Sequence, residues 1–166
     1  DPNGDGPNVA EFPHYVANRQ AKGFTVIQIV ASQPQTQDVV NEGGPTYLEP
    51  HTTINPAHFQ WLDKRINLIS EQGMVPVIVG QWHDAGNAMP LEALQAYWDY
   101  LLARYQAHNV IWVTMGEYGF VEDLEKVRQL SAYIGNNNVM DQLLTIHPTP
   151  NRPHRAFSST AHFSGE

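Results

Sequence analysis

The chain has 166 residues, 42% of them hydrophobic, and its 17 Asp and Glu against 9 Lys and Arg give a net charge of −8 with histidine neutral. That is one domain's length, enough to bury a core without covalent staples. The acidic balance argues against nucleic acid or an anionic membrane as partner, since either needs a basic surface. No cysteine is present, which removes disulfides, thiol nucleophiles, zinc ribbons and iron–sulfur sites. No apolar run reaches the roughly 18 residues of a membrane span, and no signal-peptide pattern opens the chain. The first residue is Asp1 and not Met, so the sequence reads as a processed product or a portion of a longer protein.

Residues 1–8 form a turn-rich tract, read as either disordered or calcium-loop-like. Asp1-Pro2-Asn3-Gly4-Asp5-Gly6 follows the first half of an EF-hand loop and offers Asp1, Asn3 and Asp5 as oxygen ligands. The twelfth position, however, is Phe12, and Glu11 falls one residue short of the bidentate place. A helix is expected over 9–22, stopping at Gly23, followed by a β-branched strand over 24–31 (FTVIQIVA). Residues 32–54 lack periodicity and carry Gly43-Gly44-Pro45. A loop of that length after a strand is usually functional or disordered.

Asn55-Pro56 supplies an N-cap and a first-turn proline, and Phe59, Leu62, Ile66 and Ile69 then form one stripe up to Gly73. A strand follows over 74–80. Pro90 opens the next helix, with Leu94, Tyr97, Trp98, Leu101 and Tyr105 on one side. Residues 110–116 (VIWVTMG) make a third strand, 121–134 a fourth helix ending in the Gly135-Asn136-Asn137-Asn138 tract, and 143–147 (LLTIH) a fourth strand.

Apolar strands alternating with helices give an α/β fold with parallel strands covered by crossover helices. An open doubly wound sheet would be complete at this length, whereas a (β/α)8 barrel needs about 250 residues. Length alone therefore favours the open sheet.

Polarity concentrates where the strands end, which is where parallel α/β proteins place their sites. The second strand runs into Gln81-Trp82-His83-Asp84, the third into Gly116-Glu117-Tyr118, the fourth into His147-Pro148, and the first carries Gln28 and then Ser32-Gln33. Carboxylates, amides, imidazoles and an aromatic plate are what a sugar site needs: paired donors and acceptors for hydroxyls, and an indole for the C–H face of the ring. Glu117 stands out, because a glycosidic leaving oxygen must be protonated by a carboxylic acid held on a rigid element. His83 and Asp84 are not expected to pair, since neighbours on an extended segment point to opposite faces. Eight histidines are present without HExxH or comparable spacing, and GxSxG, GxxxxGK[ST] and strand-borne GxGxxG are all missing. No cofactor is expected.

The segment Tyr15-Val16-Ala17-Asn18-Arg19-Gln20-Ala21-Lys22-Gly23-Phe24-Thr25-Val26-Ile27-Gln28 resembles the apiosidase-like glycoside hydrolases, secreted bacterial (β/α)8-barrel proteins that often stand beside a domain named for collagen binding. Asn55-Pro56-Ala57-His58-Phe59, Val77 to Trp82, Arg104-Tyr105, Asn109 to Val113 and Thr145-Ile146-His147-Pro148 continue the likeness in the family's order. The resemblance implies that residues 1–166 are one partial catalytic-type domain, its strands being the second to fifth of a barrel. It also implies a secreted or periplasmic glycoside hydrolase acting on a plant or microbial polysaccharide side chain.

Met115-Gly116-Glu117 then corresponds to the family's Gly-Gly-Asp/Glu end of the fourth strand, making Glu117 the general acid/base. Gln28, Gln81, Trp82, His83, Asp84, Tyr118 and His147 would line the carbohydrate. The nucleophile of a retaining pair would follow a seventh strand outside this sequence. The open sheet edges call for the remainder of the barrel or a partner chain. A non-catalytic truncated barrel, binding carbohydrate or acting as a scaffold through oligomerisation, is the alternative.

Overall fold

The computed structural model describes residues 11–32, 40–49 and 51–150. In chain order these form α1 (Phe12–Ala21), β1 (Val26–Val30), β2 (Tyr47–Glu49), β3 (Thr53–Ile54), α2 (Pro56–Glu71), β4 (Val75–Trp82), α3 (His83–Ala88), α4 (Leu91–Tyr105), β5 (Ile111–Gly116), α5 (Leu124–Asn137) and β6 (Leu144–Thr145). Strands β1, β4, β5 and β6 make one parallel sheet whose spatial order follows the chain. A doubly wound sheet reverses direction at a switch point. Here no reversal occurs, and the length-based preference for an open sheet is corrected to a portion of a barrel wall.

Burial agrees with that geometry. Ile27 packs with Val16 of α1 and Ile69 of α2, while Ile78 and Trp112 join Phe59, Trp98, Leu101, Leu130 and Ile134 from α2, α4 and α5. The four long helices therefore cover a single face. On the other face Val26 and Gln28 are exposed, Val77 and Ile111 are half-buried, and Val79 and Val113 are buried. The two edge strands are β1, whose first residue Val26 is exposed, and the short β6, which exposed Val139, Met140 and Leu143 precede.

Local signals account for most element ends. Gly23 and Gly73 take left-handed φ values of 78° and 74°. In both cases the next amide reaches back five residues, Phe24 N–H to the Arg19 carbonyl and Met74 N–H to that of Ile69, so each helix closes and turns straight into its strand. The predicted stripes of α2 and α4 are all buried. Helix α5 starts later than expected, because Tyr118–Phe120 forms a 3-10 turn and the Asp123 carboxylate caps the Lys126 N–H at 3.1 Å. Pro90 is an N-cap and not the first helical residue.

Part of the aperiodic stretch 32–54 is a small antiparallel hairpin, β2 with β3, Tyr47 opposite Ile54. Asn55 fastens it. Its Oδ1 accepts the Ala57 N–H at 3.1 Å as the cap of α2, and its Nδ2 donates to the carbonyls of Gly43 at 2.9 Å and Pro45 at 2.8 Å. Gly43 lies so close to α2 that a Cβ there would stand 2.1 Å from the Ala57 carbonyl oxygen. Buried His58 adds a second tie, its two ring nitrogens facing the carbonyls of Ala31 at 2.9 Å and Gly44 at 3.0 Å.

Asn55→Asp retains the capping oxygen but loses both donated hydrogen bonds, leaving two carbonyls short of a partner. It should destabilise the fold by about 2 kcal/mol in denaturant titration. A midpoint equal to the parent's would show that the side-chain amide does not hold the hairpin.

Candidate functional site

Strand β4 ends at Trp82 and β5 at Gly116, paired with each other at the C-terminal rim of the sheet. Just before that rim consecutive residues of both strands are buried. A Cβ on Gly80 would lie 2.2 Å from the Trp98 indole of α4, and the next residue, Gln81, donates its Nε2 to the Tyr47 hydroxyl at 3.0 Å and the Met89 sulfur at 3.4 Å. On β5, Thr114 meets Ser131 of α5 at 3.2 Å, and Met115 lies close to Gly86 of α3. Beyond them Trp82 packs against Gly116 and His147. The Trp82 and His147 ring centroids lie 5.3 Å apart at 41°, and a Cβ on Gly116 would fall 2.0 Å from an indole carbon.

Glu117 follows at once in the left-handed region, φ 51° and ψ 42°. Its backbone N–H donates to His147 Nδ1 at 3.3 Å, and its carbonyl accepts from Phe120 N–H at 3.0 Å. The carboxyl is a quarter exposed, with Oε2 3.9 Å from His83 Nδ1. That separation is an ion-pair distance but too long for a hydrogen bond. The His83 nitrogen is enclosed and has no hydrogen-bond partner among the described residues. The His83 ring rests 5.2 Å from that of Phe120.

The structure thus gathers Trp82, His83, Glu117 and His147 at one rim. Asp84 adjoins them in the first turn of α3, half-buried. Residues 83–84 were expected to be extended, but they begin a helix, so the opposite-face argument does not apply to them. Tyr118 is 5% exposed, with its backbone N–H 3.4 Å from the His147 carbonyl.

Gln81 lies buried beneath the rim: its Nε2 donates to Tyr47 and Met89, while its Oε1 has no hydrogen-bond partner among the described residues. Gln28 is likewise displaced, because it pairs with Val77, about 16 Å below Trp82 at the usual rise of a strand. Asp1, Asn3 and Asp5 lie outside the described residues. Among the described residues no three His, Asp or Glu side chains come together as a metal site.

Three contributors escaped the sequence pattern. Tyr47 supports Gln81 from the hairpin, its hydroxyl also 3.9 Å from the Met89 sulfur, and burial pushes that hydroxyl well above the ordinary tyrosine range. Phe120 backs His83. Gly116 vacates the space that the indole fills. A glycine between an apolar strand and a carboxylate was the one available signal.

The sequence matches the family described as "Apiosidase-like, catalytic domain" over residues 7–164. The chain belongs to this family. No curated protein sequence matches it. Among solved structures it is similar to a glycoside-hydrolase candidate from Bacteroides vulgatus, with a TM-score of 0.66 and 20% identity over 84% of this chain and 32% of that one. It is also similar to the endoglucanase Cel5A from Thermotoga maritima (TM-score 0.61, 16% identity, 83% of this chain and 44% of that one). A broad-specificity endoglucanase from an uncultured bovine rumen ciliate gives a TM-score of 0.61 at 14% identity, over 81% of this chain and 40% of that one. The apiosidase-like segment therefore spans less than half the length of each of these structures, and its α/β wall is part of a TIM barrel.

The indole and residue 116 compete for one volume, so Gly116→Ala should cost about 2 kcal/mol in denaturant midpoint. In a Trp82→Ala background the same change should cost markedly less. Equal costs in the two backgrounds would show that the contact does not constrain the rim.

Proposed function

We propose that this apiosidase-like domain is the part of a glycoside hydrolase that carries the general acid/base, Glu117. The observation that supports it is the placement of a partly exposed carboxyl at the C-terminal end of a central parallel strand, beside an indole and two imidazoles. This is the face on which barrel enzymes assemble their chemistry. In this reading Glu117 gives its proton to the glycosidic oxygen as the bond to the anomeric carbon breaks, then takes a proton from the water that completes hydrolysis. Trp82 offers the face on which a sugar ring stacks, and His83 and Asp84 offer polar groups to its hydroxyls.

A retaining mechanism needs a second carboxyl roughly 5–5.5 Å away. We assign that nucleophile to the portion of the barrel beyond these strands, which would also cover the edges at Val26 and Leu143. The substrate class proposed is a polysaccharide side chain, and the edge cover is the remainder of the barrel in preference to a separate partner chain.

Glu117→Gln in the full-length protein removes the proton donor and keeps the size of the side chain. Hydrolysis of an unactivated methyl glycoside or polysaccharide linkage should fall on the order of 100- to 10,000-fold, while a nitrophenyl glycoside, whose leaving group needs little protonation, loses far less in glycosylation. Small and equal losses on both substrates would contradict the assignment.

A further inference from the structure

We propose that His147 is the positioning residue of the acid/base: its Nδ1 accepts the Glu117 backbone N–H and holds the left-handed turn that presents the carboxyl. This inference rests on the role proposed for Glu117 and assigns His147 a task other than contact with sugar.

A left-handed φ is unfavourable for a residue with a side chain, and glycine is the usual occupant. Glycine has no carboxyl, so a catalytic glutamate at this position must be held there by its surroundings. Residue 147 grips the turn through three atoms. Its N–H donates to the Met115 carbonyl at 3.2 Å, its carbonyl accepts the Tyr118 N–H at 3.4 Å, and its ring accepts the Glu117 N–H at 3.3 Å. The first two bonds belong to the backbone and survive any side chain except proline at that position. The third belongs to the imidazole alone.

Chemistry fixes the form of the ring. An Nδ1 that accepts a hydrogen bond carries no proton, so the neutral imidazole bears its hydrogen on Nε2. Trp82, 5.3 Å away between ring centroids, packs against the imidazole and restricts its rotation. The order of dependence is then Gly116, which admits the indole; Trp82, which orients the imidazole; His147, which holds the amide; and Glu117, which carries the proton. The groups facing the Glu117 carboxyl are of another kind, His83 from α3 and the Phe120 ring behind it.

The test compares His147→Asn, whose Oδ1 can take the place of Nδ1 as acceptor, with His147→Leu, which offers none. In the full-length protein, His147→Leu should lower kcat for an unactivated methyl glycoside on the order of 10- to 100-fold, with KM little changed. His147→Asn should recover most of that loss. In a Glu117→Gln background the same His147→Leu substitution should cost almost nothing, because there is no proton donor left to position.

Amide hydrogen exchange supplies a readout independent of activity: the Glu117 N–H should be protected in the parent and in His147→Asn, and exposed in His147→Leu. Equal losses in the Asn and Leu variants, or a full loss persisting in the Glu117→Gln background, would overturn the positioning role while leaving Glu117 as acid/base. Unchanged protection in His147→Leu would overturn it too. If Glu117→Gln alone left hydrolysis intact, the functional reading itself would fall and His147 would have no acid/base to position.

Discussion

The indole of Trp82 occupies the volume in which any side chain at position 116 would have to stand, and the rim of the sheet depends on that exclusion. With glycine at 116 the indole lies across the end of β5 and against His147. With a larger residue one of the two must move, and the imidazole that receives the Glu117 amide moves with it. The carboxyl is therefore placed by a sequence of contacts, each of which requires the one before.

That sequence stands on strand ends in which consecutive residues are buried, because the sheet is covered on both faces near the rim. Gly80 meets Trp98 while Gln81 meets Tyr47 and Met89, and Thr114 meets Ser131 while Met115 lies close to Gly86. Gln81, a polar residue at the end of a strand, thus props the hairpin from a buried position.

The stripes of α2 and α4, the glycine stops at 23 and 73 and the four parallel strands were legible because each is written in local periodicity or in one backbone requirement. What could not be read was set by contacts distant in sequence. Periodicity cannot show that β2 and β3 pair, since both are shorter than an ordinary strand and are fixed by the three hydrogen bonds of Asn55. Nor can it show that His83 and Asp84 begin a helix immediately after a strand. Length misled for a different reason. A chain that holds part of a barrel wall has the size of a whole open sheet, and only the chain-order arrangement of β1, β4, β5 and β6 separates the two. Among the candidate residues, Glu117, Trp82, His83 and His147 lie together because a rigid strand ends beside each, while Gln28 lies far from them through a register that no single strand reveals.

The most direct measurement of the central claim is the crystal structure of the full-length protein with an iminosugar or a fluorinated glycoside in place. The account predicts a sugar ring stacked on Trp82, with a Glu117 carboxyl oxygen within hydrogen-bond distance of the position of the glycosidic oxygen. A sugar bound elsewhere in the barrel, or one that leaves Glu117 without contact while another carboxyl approaches the leaving oxygen, would contradict it.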